Sequence, residues 1–257
     1  MKRVLSIAGR WLALCVLSGI ALQLYFVLRV ALMLVIDPQS TTFQRAEVWR
    51  IATSQGTLPW RQEWRSYNEI SPHLKRAVIA SEDASFTEHE GVDWEALEKA
   101  YDRNLKARER AERHNERLQK RSQRHPERPV QMRQAKVVGG STITQQLAKN
   151  LFLSGERNLA RKAQEFALTF ALEALLSKER ILEIYLNNVE WGEGVFGAEA
   201  AARHYFRVGA DQLTPAQAAR LAVMLPAPKR FEKRPHSAYV AGRAATVQAR
   251  MRAVQLP

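Results

Sequence analysis

Between Trp11 and Leu28 the chain runs for eighteen residues, WLALCVLSGIALQLYFVL, without a charge. As a helix, a stretch of that length spans a bilayer core of about 30 Å. No other feature constrains the fold as strongly. Lys2, Arg3 and Arg10 precede it; Arg29 follows, and then VALMLVI to Ile36. A cleaved signal peptide is the competing reading. Its apolar region is normally shorter, and no convincing small-x-small cleavage site stands before Asp37. A retained anchor over residues 11–36 is therefore expected, with residues 1–10 as a cytoplasmic tail and the rest outside. Arg29 is expected to snorkel to the outer headgroups, so that residues 30–36 lie at the interface or enter the folded domain.

The remaining chain is long enough for a real core in one or two domains. The net charge of the 257 residues is +13. That balance points to a polyanionic partner: nucleic acid, an anionic membrane surface or a phosphorylated substrate. Outside the membrane, nucleic acid is not expected. The single cysteine, Cys15, excludes an internal disulfide and a cysteine-based metal site. The six histidines show no metal-ligand spacing.

Residues 37–70 carry Trp49, Trp60, Trp64 and Tyr67, which suit either a membrane interface or core packing. At Ser71-Pro72 an N-cap and a Pro at N1 open a helix. Leu74, Val78 and Glu82 follow at steps of four, so Glu82 ends an inward-facing row while Asp83 points elsewhere. An acid in that position is paired or functional. EDASFTEHEG, residues 82–91, ends in a turn glycine, and Asp93 caps a helix through Trp94, Leu97 and Tyr101. Residues 103–136 then hold 12 Lys and Arg against 4 Asp and Glu, a surplus of +8. With Pro126 and Pro129 in it, this segment reads as an exposed, partly helical or mobile insertion. It is either a solvated loop or attracted to anionic lipid headgroups.

GGSTITQQLAKN, residues 139–150, holds Thr142 and Gln145 in capping-box spacing, with Ile143, Leu147 and Leu151 in one apolar stripe. A helix start with hydroxyls before it and amides and Lys149 along one side suits an anion; the other reading of this stretch is an ordinary capped amphipathic helix. The next helix, 158–176, shows Leu159, Ala163, Phe166, Ala167 and Phe170 as its apolar face, with Arg161 and Lys162 spaced to meet Glu165. A helix from Ser177 ends at Asn187 and Asn188, followed by WGEGVFG, read as a flexible glycine-rich loop. Helices over 198–206, from Thr214 to Leu225 and over 238–254 complete a mainly α chain with no run of period-two strands. Two glutamates on different helices and cations about a helix start suit sugar transfer from a phosphate-activated donor. One carboxylate takes the acceptor proton and the cations meet the charge of the leaving pyrophosphate.

EDxxFxxHxG at 82–91, GGSTITQQLAKN at 139–150, RKxxE at 161–165 and ILEIYLNNVEWGEGVFG at 181–197 resemble, in order, the motifs of the peptidoglycan glycosyltransferases, glycosyltransferase family 51. LAVMLPAPKRF at 221–231 is similar to the family's last motif. The likeness covers about residues 50–231. No SxxK with a following KTG appears, so the chain resembles the monofunctional members. The resemblance implies a lysozyme-like, mainly α glycosyltransferase domain with a membrane-facing lobe, over residues 71–257 behind a juxtamembrane region, 37–70. It implies a bacterial inner-membrane enzyme with a periplasmic catalytic domain. Lipid II would be polymerised into glycan strands with inversion, releasing undecaprenyl pyrophosphate.

By the same resemblance Glu82 is the base for the acceptor 4-hydroxyl, and Glu165 is the second essential glutamate, supporting the donor site. Lys149, Arg157, Arg161 and Lys162 stand near the donor phosphates. Ser141, Thr142, Gln146 and Asn150 line the pocket, and Asp83, Phe86 and His89 support the first motif. No cofactor is implied as obligatory; a divalent cation, Mg or Mn, is an optional aid at the pyrophosphate. Implied partners are lipid II, the growing strand, membrane lipids and other proteins of cell-wall synthesis or division. The departure is the basic segment of about 108–133, where the family has a shorter connection. Two other readings stay open beside this one: a glycan-cleaving enzyme of lysozyme-like or lytic type, and a non-enzymatic membrane-anchored scaffold.

Overall fold

The computed structural model describes residues 2–56, 59–124, 131–135, 139–153, 155 and 158–257. The chain forms two compact units, one of Met1–Gly91 with Ile143–Pro257 and one of Val92–Thr142.

The first unit begins with α1, Lys2–Leu32. Within it Ile7–Leu32 is long and apolar enough to cross a membrane. Its last turns join the protein core, with Val30 and Met33 buried. Helix α2, Thr42–Gln55, was not legible as a helix in the sequence. It is closed by a reciprocal box, in which the Gln44 amide N–H donates to Thr41 Oγ1 at 3.0 Å and the Thr41 N–H to Gln44 Oε1 at 2.8 Å. Core packing claims three of the aromatic residues of 37–70: Trp60 stacks on Phe196 at 4.6 Å, Trp64 lies under Arg180, and Tyr67 is buried in the core. Trp49 stays exposed.

Helix α3, Pro72–Glu82, starts as the sequence predicts, with Ser71 Oγ accepting the His73 N–H. Leu74, Val78 and Ile79 are fully buried, each worth about 1.5–3 kcal/mol of transfer energy.

The second unit holds α4, Trp94–Arg124. The helix expected through Tyr101 thus continues well into the basic segment. No Gly or Pro interrupts 94–124, and its Ala, Arg, Glu, Lys and Gln are strong helix formers. Glu95–Lys99 and Glu109–Arg113 pair along it at i, i+4. Asn115 exchanges two hydrogen bonds with the backbone of Arg133, tying the returning strand of chain to the helix. Pro126 and Pro129 lie outside the described residues.

The first unit resumes with α5, Ile143–Phe152, α6, Leu159–Leu175, and α7, Lys178–Asn188. Helix α5 packs against α2, α6 and α7. One expectation is reversed on α6. The stripe of Leu159, Ala163, Phe166, Ala167 and Phe170 is not its inward face: Leu159 is 89% exposed and Phe170 48%. The face turned inward carries Glu165, Leu168, Thr169 and Leu172. Helical periodicity locates an apolar stripe, but not whether protein or lipid covers it.

The glycine-rich segment is not a flexible loop either. Strands β1, Glu190–Gly192, and β2, Val195–Phe196, form a buried antiparallel hairpin. Gly194 turns it at φ +70°, where a Cβ would stand 1.7 Å from the Pro59 carbonyl oxygen. Only glycine fits, for reasons of approach rather than mobility.

Helices α8, Ala198–Phe206, α9, Pro215–Met224, α10, Pro228–Glu232, and α11, Ala238–Arg250, complete the unit. The capping box expected at Thr214 and Gln217 is present. Small residues on α9, Ala218, Ala219 and Ala222, are buried and let α3 and α11 pack on it.

Candidate active site

Glu82 is the last residue of α3 and stands half-buried. Its Oε2 accepts a 3.0 Å hydrogen bond from the Gln146 amide on α5. Gln146 Oε1 in turn accepts the Tyr185 hydroxyl of α7 at 3.0 Å. That second bond fixes which end of the Gln146 amide faces Glu82. Burial pushes the Glu82 carboxyl above the usual range, and the Asp83 charge adds to this. Hydrogen bonds from Gln146 and Ser81 and the Lys149 charge oppose the rise. The Tyr185 phenol, fully buried near Glu82 and Asp83, is held well above its ordinary value and stays a donor.

Asp83 caps α3 and, pointing elsewhere than Glu82, is itself buried. Its Oδ1 meets His89 Nε2 at 2.9 Å, and its Oδ2 accepts the Ile143 N–H at 3.0 Å. The Gly91 N–H donates to His89 Nδ1, which therefore carries no proton; Nε2 donates to Asp83. The N-terminus of α5, expected to be open to an external anion, is thus engaged by a carboxylate of the protein. Phe86 is fully buried below the loop, with Lys178 Nζ 4.7 Å from its ring centre. Lys178 also donates to the His89 carbonyl at 2.6 Å and to Glu173 at 2.8 Å, and Glu173 accepts Thr144 Oγ1 at 2.6 Å. Gly91, at φ +85°, lets the loop pass Thr169 and Glu173 where a Cβ would collide. Asp83, Phe86 and His89 therefore bind the first motif to α5, α6 and α7.

On α6, Glu165 is 4% exposed. Arg161 reaches its Oε2 at 3.2 Å and Lys162 its Oε1 at 2.5 Å. Arg161 Nε is buried with no hydrogen-bond partner among the described residues. A buried guanidinium N–H without an acceptor is costly unless a ligand supplies one. Lys149 is exposed on α5 and Asn150 half-buried beside it. Ser141 is exposed and Thr142 buried, both at the end of the second unit. Arg157 lies outside the described residues. Sequence reasoning gave no role to Tyr185, Thr144, Glu173 or Lys178. Tyr185 stands inside ILEIYLNN, where its spacing marks it as core.

A second polar cluster surrounds Glu190 on β1. Lys229 makes a close contact with Glu47 and stands 3.4 Å from Glu190 Oε1, which accepts no hydrogen bond among the described residues. Burial raises the Glu190 carboxyl to about 7; the Glu47 and Glu193 charges add to this and Lys229 opposes it.

A desolvated carboxylate on one helix and a cation pair fixed by a second carboxylate on another form the layout of an acid–base transferase for an anionic substrate. Comparison with known proteins supplies the family. The profile of the Transglycosylase family matches residues 51–113 and 128–252. A biosynthetic peptidoglycan transglycosylase of Burkholderia thailandensis is 48% identical over 253 residues, covering 97% of this chain and 89% of its own. Proteins of that name from Cupriavidus metallidurans, covering 96% of this chain and 99% of their own, and from Janthinobacterium sp., covering 94% of each, are also 48% identical. The chain belongs to the transglycosylase family. Residues 114–127, which the profile leaves unmatched, fall within the basic segment.

Proposed function

We infer that the chain is a membrane-anchored peptidoglycan glycosyltransferase that polymerises lipid II into glycan strands, with Glu82 as its base. The observation that carries the assignment of the base is the Tyr185–Gln146–Glu82 chain of hydrogen bonds. It orients a carboxylate whose burial raises its proton affinity. Glu82 takes the proton of the acceptor 4-hydroxyl as that oxygen attacks the donor anomeric carbon. The bond from this carbon to the pyrophosphate oxygen breaks, its electron pair leaves with the pyrophosphate, and the configuration inverts. Arg161, Lys162 and Lys149 meet the charge that develops there, and the buried Arg161 Nε gains the acceptor it lacks. Glu165 holds the first two cations in place.

These residues offer a divalent cation no cage of their own, and one assisting at the pyrophosphate would be held mainly by the substrate's phosphates. No three His, Cys, Asp or Glu side chains gather into a cage among the described residues, and Glu165 is already held by Arg161 and Lys162. The charge at the pyrophosphate is met by the chain's own cations.

The apolar α1 with Lys2, Arg3 and Arg10 before it supports a single pass through the bacterial cytoplasmic membrane, the tail inside and the catalytic domain in the periplasm. Incubating wild type and Glu82→Gln in parallel with lipid II tests the assignment. Polymer from the wild type and none from the variant is expected, with folding retained. Sustained turnover by Glu82→Gln removes Glu82 as base, and glycan cleavage without polymer removes the transfer reading.

A further inference from the structure

Gln23 is a primary amide within the uncharged run of α1. It pairs with Gln164 on α6: Gln23 Nε2 donates to Gln164 Oε1 at 2.7 Å, and Gln164 Nε2 donates back to Gln23 Oε1 at 3.1 Å. Each amide satisfies the other. In water such an exposed pair competes with solvent and holds little. In hydrocarbon no competing partner exists, and an unpaired amide is costly.

On the reading of α1 as a membrane span, the pair stands at the depth of that span. Gln23 lies within the candidate span Ile7–Leu32. Arg29 follows six residues later, about 9 Å of helix, with its guanidinium 5.3 Å from the Phe152 ring centre at the end of α5. Leu159 and Phe170 on the outward stripe of α6 are exposed, as are the apolar side chains of α1 such as Leu22 and Leu24. Beyond the span, Arg180 of α7 donates to the Met33 carbonyl at 2.8 Å and pairs with Asp37 at 2.7 Å. The anchor is therefore gripped by α5, α6 and α7, which carry Gln146, Glu165 and Tyr185.

Gln164 immediately precedes Glu165. One turns outward to α1; the other turns inward and holds Arg161 and Lys162. A shift of α6 against α1 shifts this cation group with it. We propose that Gln23 and Gln164 form an intramembrane clasp that makes the anchor a positioning element of the active site. The catalytic part of this proposal rests on the transfer reading above; the clasp itself does not.

The test uses the full chain in liposomes, in a Cys15→Ser background, with Gln23→Leu, Gln164→Leu and the double variant. Leucine keeps the bulk and favours insertion. Each single variant is expected to lower kcat on lipid II by about tenfold, with KM within about twofold, and the double variant, which leaves no amide unpaired, is expected to keep the wild-type unfolding midpoint. The double variant is expected to be no worse than either single one. Unchanged kcat, losses that multiply in the double variant, or a fall in the double variant's kcat matched by a fall in its unfolding midpoint overturns the positioning role. Separately, Gln23→Cys with Gln164→Cys is expected to cross-link with a short bis-maleimide, and absence of the cross-link removes the clasp. If the wild type makes no polymer, the transfer reading falls while the cross-link still decides the contact.

Discussion

The Gln146 amide sets how readily Glu82 ionises, and replacing it gives the sharpest test of the site. In Gln146→Leu the 3.0 Å bond to Glu82 Oε2 is lost while the burial that raises the carboxyl remains. A hydrogen bond to a charged group is worth about 1.5–3 kcal/mol, and 1.36 kcal/mol corresponds to one pH unit of titration. A base works only when ionised, so a further rise in its proton affinity moves the acid limb of the rate profile to higher pH. The expected displacement of that limb in kcat/KM for lipid II polymerisation is about 1–2 pH units upward. Well above the limb, most of the wild-type rate should return. Tyr185→Phe is the companion variant. It keeps the Gln146 donor but releases its orientation, so a smaller displacement in the same direction is expected. The experiment measures kcat/KM across pH in one buffer series at constant ionic strength. A Gln146→Leu enzyme slowed equally at every pH refutes the reasoning, because Gln146 would then act on substrate rather than on Glu82.

Three further outcomes follow from the geometry. Lys149→Ala removes a cation acting on Glu82 and proposed for the donor phosphates; kcat/KM should fall about 10–100-fold, on the order of 1.5–3 kcal/mol, and unchanged kinetics would remove Lys149 from the site. Gly194→Ala adds a Cβ 1.7 Å from the Pro59 oxygen at φ +70°, and should cost about 2–4 kcal/mol in denaturant unfolding; a stable variant would mean the hairpin is not packed as described. Glu190, raised from 4.5 to about 7, keeps its proton in the folded chain while the unfolded chain loses it, so stability falls as pH rises through that window and levels off above it. Glu190→Gln should flatten this dependence and gain up to about 3 kcal/mol at pH 8; equal pH profiles for variant and wild type would show that Glu190 ionises normally.

The parts of the fold legible in the sequence are those fixed by neighbours in the chain. Ser71-Pro72, Ser177 and the Thr214–Gln217 box mark helix starts because the capping bond spans two or three residues. Glu82 could be singled out because an acid ending a buried helical row is costly without a partner, and Glu165 because Arg161 and Lys162 are spaced to meet it. What was not legible depends on chain segments far apart. The glycines of the hairpin announce freedom, but the reason for Gly194 is the Pro59 carbonyl more than a hundred residues earlier. The stripe on α6 has the period of a core face and lies outside, because the inner face was available for Glu165 and its cations.

The adjacent acids Glu82 and Asp83 show how one dipeptide divides between chemistry and structure. Asp83 uses both oxygens, one on His89 and one on the first amide of α5. Those bonds hold the end of α3 against the start of α5. Glu82, one residue earlier, is presented to Gln146 three residues into that same helix. The amide that looked ready for a substrate anion is therefore used to set the distance between the base and its hydrogen-bond donor. Phosphate charge is left to Arg161, Lys162 and Lys149. The helix that begins at Ile143 thus serves the reaction through its side chains, with its first backbone dipole committed to alignment.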